Sequence, residues 1–148
     1  MKIYIKRFNE LETSELYGVL QLRSEVFVVE QDCVYQDLDG KDAKALHVIG
    51  KKDGEIVAYT RVFAPGDYFA DASIGRVVVK QSQRKYGYGK VIMEASIKTV
   101  EERLGTKTIR ISAQTYLLKF YNSLGFTAEG TEYLEDGIPH VSMVRTQF

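Results

Sequence analysis

The sequence predicts an α/β domain of the α+β three-layer kind, with one mixed, mostly antiparallel sheet and helices on both faces. Three observations predict it. Alternating or β-branched runs recur at residues 2–7, 45–51, 55–63, 73–80, 108–112, 126–134 and 140–145. Stretches with helical apolar spacing interrupt them at 13–29, about 90–104 and 116–124. The order β-α-β-β-β-α-β-α-β-β then mixes tight hairpins with helical crossovers, which places antiparallel and parallel neighbours in one sheet.

Residues 2–7 alternate apolar and charged side chains and read as a strand. Residues 13–29 carry Leu16, Val19, Leu20, Arg23 and Phe27 at helical spacing, with Leu22 and Val26 beside them. Residues 30–44 are polar, with several Asp, and read as an irregular loop. Lys52-Asp53-Gly54 suits a tight hairpin between the next two strands. Val77-Val78-Val79 marks a buried strand. The long helix after it shows an apolar stripe (Met93, Ile97, Val100, Leu104) opposite a charge ladder, Lys90, Glu94, Lys98 and Glu102. The helix at 116–124 ends at Gly125, suited to a left-handed C-terminal position. Asp136-Gly137-Ile138-Pro139 turns the chain between the last two strands.

The chain has 148 residues, 45% hydrophobic and 27% charged, which predicts one globular domain over 1–148 with a real core. Lys+Arg and Asp+Glu are both 20. A zero net charge argues against broad nucleic-acid binding. The one cysteine, Cys33, excludes an intramolecular disulfide, and with two histidines and no cysteine pair no metal is expected. No apolar leader or membrane-length segment is evident, so a cytoplasmic protein with no membrane partner is expected.

The most informative stretch runs from Val77 through Lys80-Gln81-Ser82-Gln83-Arg84-Lys85-Tyr86-Gly87-Tyr88-Gly89-Lys90. It is a strand, a basic glycine loop and a helix start. Unpaired amides and the dipole at a helix start favour anions, and glycines let a phosphate come close. Arg84, Lys85 and Lys90 add positive charge. This pattern predicts a pyrophosphate site, although a Gly-x-Gly also suits a plain strand–helix turn. A Walker A loop is excluded because Arg84 and Val91 stand where it needs Gly and Ser or Thr. A Rossmann fingerprint is excluded because Ile92 stands where it needs a third glycine.

Arg84-x-x-Gly87-x-Gly89 resembles the Gln/Arg-x-x-Gly-x-Gly/Ala signature of the GNAT (GCN5-related N-acetyltransferase) superfamily. Phe120-Tyr121-Asn122-Ser123-Leu124-Gly125-Phe126 resembles its second hallmark. Residues 22–31, 111–114 and 135–140 are similar to the bacterial ElaA-like branch. The resemblance implies the GNAT acyl-CoA N-acyltransferase fold. It implies acetyl-CoA as co-substrate and a small-molecule or protein amine as acceptor, in a monomer or homodimer.

By the same resemblance, the strands around residues 76–80 and 108–112 splay to admit the pantetheine arm. Val77 and Val79, with Val78 between them, would pair with its amides. Backbone amides of Arg84, Lys85, Tyr86, Gly87, Tyr88, Gly89 and Lys90 would hold the pyrophosphate. Gln114 and Tyr121 complete the cofactor set, with Tyr121 as general acid. Glu30, His47, Glu135 and His140 are candidate bases. Arg23, Phe27, Glu30, Gln31, Glu135, Asp136 and His140 are candidates for the acceptor pocket. As plain structure, Tyr121 is a core tyrosine bonded to a backbone partner, and each histidine a satisfied strand residue. Arg23 falls on an apolar stripe, so it either snorkels or meets a buried anion. A non-catalytic acyl-CoA-binding module and an acyl-homoserine-lactone synthase are the alternatives. The latter is suggested by Arg23-Ser24-Glu25-Val26-Phe27.

Overall fold

A computed structural model describes residues 1–146; residues 147 and 148, the end of the span expected to form one domain, lie outside the described residues. Seven strands, β1 (Lys2–Arg7), β2 (Leu46–Lys52), β3 (Glu55–Phe63), β4 (Ala72–Val79), β5 (Ile109–Gln114), β6 (Thr127–Glu135) and β7 (Ile138–Arg145), form one sheet. Its order is β1-β2-β3-β4-β5-β7-β6. Only β4 and β5 run parallel; every other neighbouring pair is antiparallel. Asp53 and Gly54, at φ 52° and 79°, and Asp136 and Gly137, at 52° and 77°, make the two tightest hairpins. Two left-handed residues in succession match the twist of the flanking strands.

Helix α1 (Thr13–Arg23) opens with a capping box in which the Glu12 amide donates to Glu15 Oε1 at 2.9 Å. The expected helix over 13–29 does not continue as one α-helix. From Ser24 to Glu30 the chain widens into a π-helical segment, closed by Gln31 N donating to Val26 O at 3.1 Å. The wider turn lets Val26 pack on the sheet while Phe27 and Gln31 reach the cleft described below. Apolar spacing alone could not register one extra residue per turn.

Helices α2 (Tyr88–Arg103) and α3 (Leu118–Ser123) cover the opposite face. Residues 116 and 117, expected to open the last helix, belong instead to a separate 3-10 turn, Thr115–Leu117, before it. Val19, Leu22 and Val26 pack on Ile49, Tyr59 and Val78. Ile92, Met93, Ile97 and Val100 of α2 pack on Val48, Ala58, Val62 and Ile74. The neighbours Val48/Ile49 and Ala58/Tyr59 thus serve opposite layers, as the pleat requires. Each fully buried aliphatic side chain contributes about 1.5–3 kcal/mol. The exposed Lys98–Glu102 pair of the charge ladder, at 3.7 Å, contributes a few tenths at most. The two apolar layers therefore hold the sheet. Among the described residues no helix is long and apolar enough to cross a membrane.

The centre of the sheet is open. β4 and β5 pair only at Ala72↔Ile109 and Ser73↔Arg110. On the other side of β4, Arg61↔Gly75 is followed by Tyr59↔Val78, three steps on β4 against two on β3. The extra residue is a β-bulge, and Arg76 within it takes φ 50°. A bulge bends its strand, and β4 parts from β5 where this bend begins.

Candidate active site

A cleft of about 900 Å³, its open mouth included, lies in this gap. Ile74, Val77, Ile111 and Tyr121 line it from the α2–α3 layer and the parted strands. The β6–β7 hairpin supplies Glu135, Asp136 and His140. Phe27 approaches from the π-helical segment and Gln31 and Cys33 from the chain just after it, and Cys33 Sγ lies 3.3 Å from the Asp136 carbonyl.

Backbone parity decides which groups of β4 face the gap. Lys80 N donates to Val57 O at 2.8 Å and Val78 is registered with Tyr59, so both turn toward β3. Alternation sends the amides and carbonyls of Val77 and Val79 toward the opening. Val78 itself, 3% exposed, packs its side chain under α1. Gln114 lines the cleft at the end of β5.

The glycine loop lies beyond the end of β4. Residues 81–86 form a 3-10 turn, Gly87 takes φ 72°, and α2 begins at Tyr88 with no side-chain cap. A Cβ at Gly87 would meet nothing within 4 Å; one at Gly89 would sit 3.5 Å from the Phe120 ring. Lys85, Tyr86 and Lys90 are exposed. Tyr86 and Tyr88 lie 5.5 Å apart with Lys52 Nζ 3.9 Å above the Tyr86 ring. Arg84 donates from Nε to Val79 O at 3.1 Å and pairs with both carboxylate oxygens of Glu30. Glu30 is thus directed at the glycine loop and is not among the cleft-lining residues.

Tyr121 is 6% exposed, with its ring against Phe120 and Phe126. A core tyrosine would bond its hydroxyl to a backbone partner. The Tyr121 hydroxyl makes no hydrogen bond among the described residues, and the side chain lines the cleft. Burial pushes this phenol well above its usual value, so it stays protonated at neutral pH.

His140 is 6% exposed and its Nδ1 lies 2.7 Å from Ile138 O. A carbonyl only accepts, so Nδ1 is the donor to Ile138 O, and Nε2 faces Glu135 Oε2 at 3.4 Å. Ser112 Oγ donates to Glu135 Oε1 at 3.1 Å and accepts from the Tyr133 hydroxyl. The Tyr133 ring stacks on His140 at 6.2 Å. Three strands therefore fix one imidazole–carboxylate pair in the cleft wall. Ser112 and Tyr133 were missed by sequence reasoning; only the cross-strand register brings them to Glu135 and His140.

Two more expected site residues, besides Glu30, lie elsewhere. His47 is 1% exposed, donates from Nε2 to Asp42 O at 2.9 Å and accepts from the Tyr59 hydroxyl at 2.6 Å on Nδ1. Burial pushes it down, so it is a neutral, satisfied core histidine with no lone pair for an acceptor. Arg23, fully buried, meets anions: Nε donates to Asp37 at 2.9 Å and Nη1 to Asp42 at 2.7 Å. Arg61 bonds Asp39 and Asp42, and Arg76 bonds Asp37 at 2.7 Å. Desolvation raises the Asp42 carboxyl, but hydrogen bonds and charge from Arg23 and Arg61 outweigh it and hold the group below its usual range. Three guanidiniums and three carboxylates thus strap residues 37–42 to the sheet. The sequence left Arg23 either snorkelling or meeting a buried anion; the structure shows the second.

An acetyltransferase (GNAT) domain model matches residues 10–147. Protein ElaA of Escherichia coli is 42% identical over 139 residues, covering 93% of this chain and 91% of the relative. The crystal structure of Escherichia coli ElaA has a TM-score of 0.91 at 39% identity, covering 97% of this chain and 98% of that one. An acyl-CoA N-acyltransferase from Pseudomonas aeruginosa has a TM-score of 0.92 at 39% identity, covering 98% of this chain and 99% of that one. The parted parallel strands, the glycine loop at the start of α2 and the tyrosine of α3 agree with these likenesses: the chain belongs to the GNAT acetyltransferase family, in its ElaA-like branch.

Proposed function

We propose that the protein is an N-acetyltransferase that moves the acetyl group of acetyl-CoA onto a primary amine by direct attack in a ternary complex. The observation that carries the reading is the gap between β4 and β5, with the Tyr121 hydroxyl unpartnered in it and a glycine loop at its end. The pantetheine arm pairs with backbone groups of Val77 and Val79, as an added strand would. Amides of residues 84–90 receive the pyrophosphate.

The amine nitrogen attacks the thioester carbonyl carbon and the carbonyl π pair moves to oxygen, where a β4 amide donates to the oxyanion. When the tetrahedral species collapses, the C–S bond breaks and sulfur takes a proton from Tyr121. An unhindered thiol has a pKa near ~8.5, below that of a phenol. A thiolate forming in the same desolvated cleft is itself raised, which brings donor and acceptor closer. The amine proton goes to His140 Nε2, and Glu135 stabilises the imidazolium. Glu30 and His47 have no part in this transfer, because one is held by Arg84 and the other is satisfied in the core. Release of free thiol from acetyl-CoA, followed across a panel of amines, tests the reading; no amine-dependent release would contradict it.

A further inference from the structure

From the charge arrangement of the same cleft we infer that the acceptor is a small aliphatic diamine or polyamine, an inference resting on the acetyltransferase reading above. A reacting amine must shed its own positive charge before it attacks. Recognition by charge therefore falls to another group of the acceptor. The cleft is lined by two basic side chains, Arg61 and Arg76, and two acidic ones, Glu135 and Asp136. Both guanidiniums are already matched: Arg61 by Asp39 and Asp42, and Arg76 by Asp37 at 2.7 Å and Asp39 at 3.6 Å. An acceptor carboxylate would find no unshared cation there.

The hairpin side is the reverse. Among the described residues Glu135 is paired with no lysine or arginine, only with His140 at 3.4 Å and the Ser112 hydroxyl at 3.1 Å, and the Asp136 carboxylate has no hydrogen bond or ion pair. The second observation is Tyr121, 6% exposed, whose unpartnered hydroxyl lies in the same cleft and marks where the reacting end sits. Phe27, Leu117 and Ile138 supply apolar wall for a methylene chain between the two ends. A free amine facing Tyr121 and His140, a short alkyl spacer and a second ammonium at Asp136 satisfy all three features. An α-amino acid brings a carboxylate beside its amine and leaves Asp136 unmatched.

The test compares kcat/KM for putrescine, cadaverine and spermidine with that for n-butylamine and for an α-amino acid, at saturating acetyl-CoA. A charge-assisted contact predicts about a tenfold preference for the best di- or polyamine over n-butylamine. Asp136→Asn, which tolerates the local φ of 52°, brings that preference close to one. An equal rate with n-butylamine, preference for the amino acid, or an unchanged ratio in Asp136→Asn overturns the inference. Turnover with some other amine sinks this inference alone; absence of turnover with every amine sinks the acetyltransferase reading with it.

Discussion

Glu30 holds Arg84 at both ends of its guanidinium, with Oε2 2.6 Å from Nη1 and Oε1 2.8 Å from Nη2, across 54 residues of sequence. The remaining Nε–H of that fork goes to the carbonyl of Val79 at 3.1 Å. The first residue of the glycine motif is thus engaged by a carboxylate and by the strand carbonyl that faces the gap. If coenzyme A binds as proposed, its diphosphate competes with Glu30 for this charge and its pantetheine arm with Arg84 for the carbonyl.

Removing the competing carboxylate while keeping its shape should favour the ligand. A surface pair of this kind contributes about 0.2–1 kcal/mol. Glu30→Gln is therefore expected to bind coenzyme A up to about fivefold more tightly by calorimetry. Its kcat at saturation should match the parent, since the proton of the acceptor does not pass through Glu30. A large fall in kcat would return Glu30 to the role of base.

Tyr121→Phe removes only the hydroxyl and keeps the ring packed against Phe120 and Phe126. General acids contribute about a hundredfold or more. Turnover should drop by about that factor with the dissociation constant for coenzyme A nearly unchanged. Steady-state kinetics beside calorimetry separate the two; a loss of affinity without loss of turnover would make Tyr121 a packing residue.

Asp37 accepts from Arg23 Nε and from Arg76 Nε with its two oxygens, joining the end of α1 to the bulge of β4. Asp37→Ala leaves the fully buried Arg23 short of one anion. Breaking a buried pair costs about 3–5 kcal/mol, which corresponds to a fall in Tm of about 10 °C. A melt within a degree or two of the parent would show that the strap is not what secures residues 37–42.

Glu15, 5% exposed, accepts from Lys6 Nζ at 2.7 Å and Lys51 Nζ at 2.9 Å. Burial pushes its carboxyl up, but the hydrogen bonds from Lys6, the Glu12 amide and Lys51 outweigh it and hold the group down to about 2 from an ordinary 4.5. The unfolded chain then binds this proton more readily than the folded one. The stabilisation is complete above pH 4.5 and is lost as pH falls toward about 2. Unfolding titrations should show the parent losing more stability across this window than Glu15→Gln; equal acid sensitivity would contradict the assignment.

The order of elements was legible because strand alternation and helical spacing are local properties. So was the glycine loop, where glycines, basic residues and a helix start are contiguous. The π-helical segment was hidden, because Val26 and Phe27 suit either winding. The roles of Arg23 and His47 were hidden for another reason. Their partners, Asp37, Asp42 and Tyr59, come from distant segments, and only packing chooses between a ligand-facing and a buried charge. The Ser112–Glu135–His140 arrangement depends on pairing Gln114 with His140 across β5 and β7, which no single segment encodes.

Calorimetric titration of coenzyme A into the parent protein and into Gly87→Glu tests the central claim most directly. A Cβ at Gly87 points into open space, so the substitution meets no protein atom within 4 Å and leaves the local φ of 72° as its conformational cost. The account predicts heat of binding for the parent and an affinity loss of at least about a hundredfold for Gly87→Glu, with the folded state retained by circular dichroism. Binding of equal strength in both proteins, or none in the parent, would contradict it.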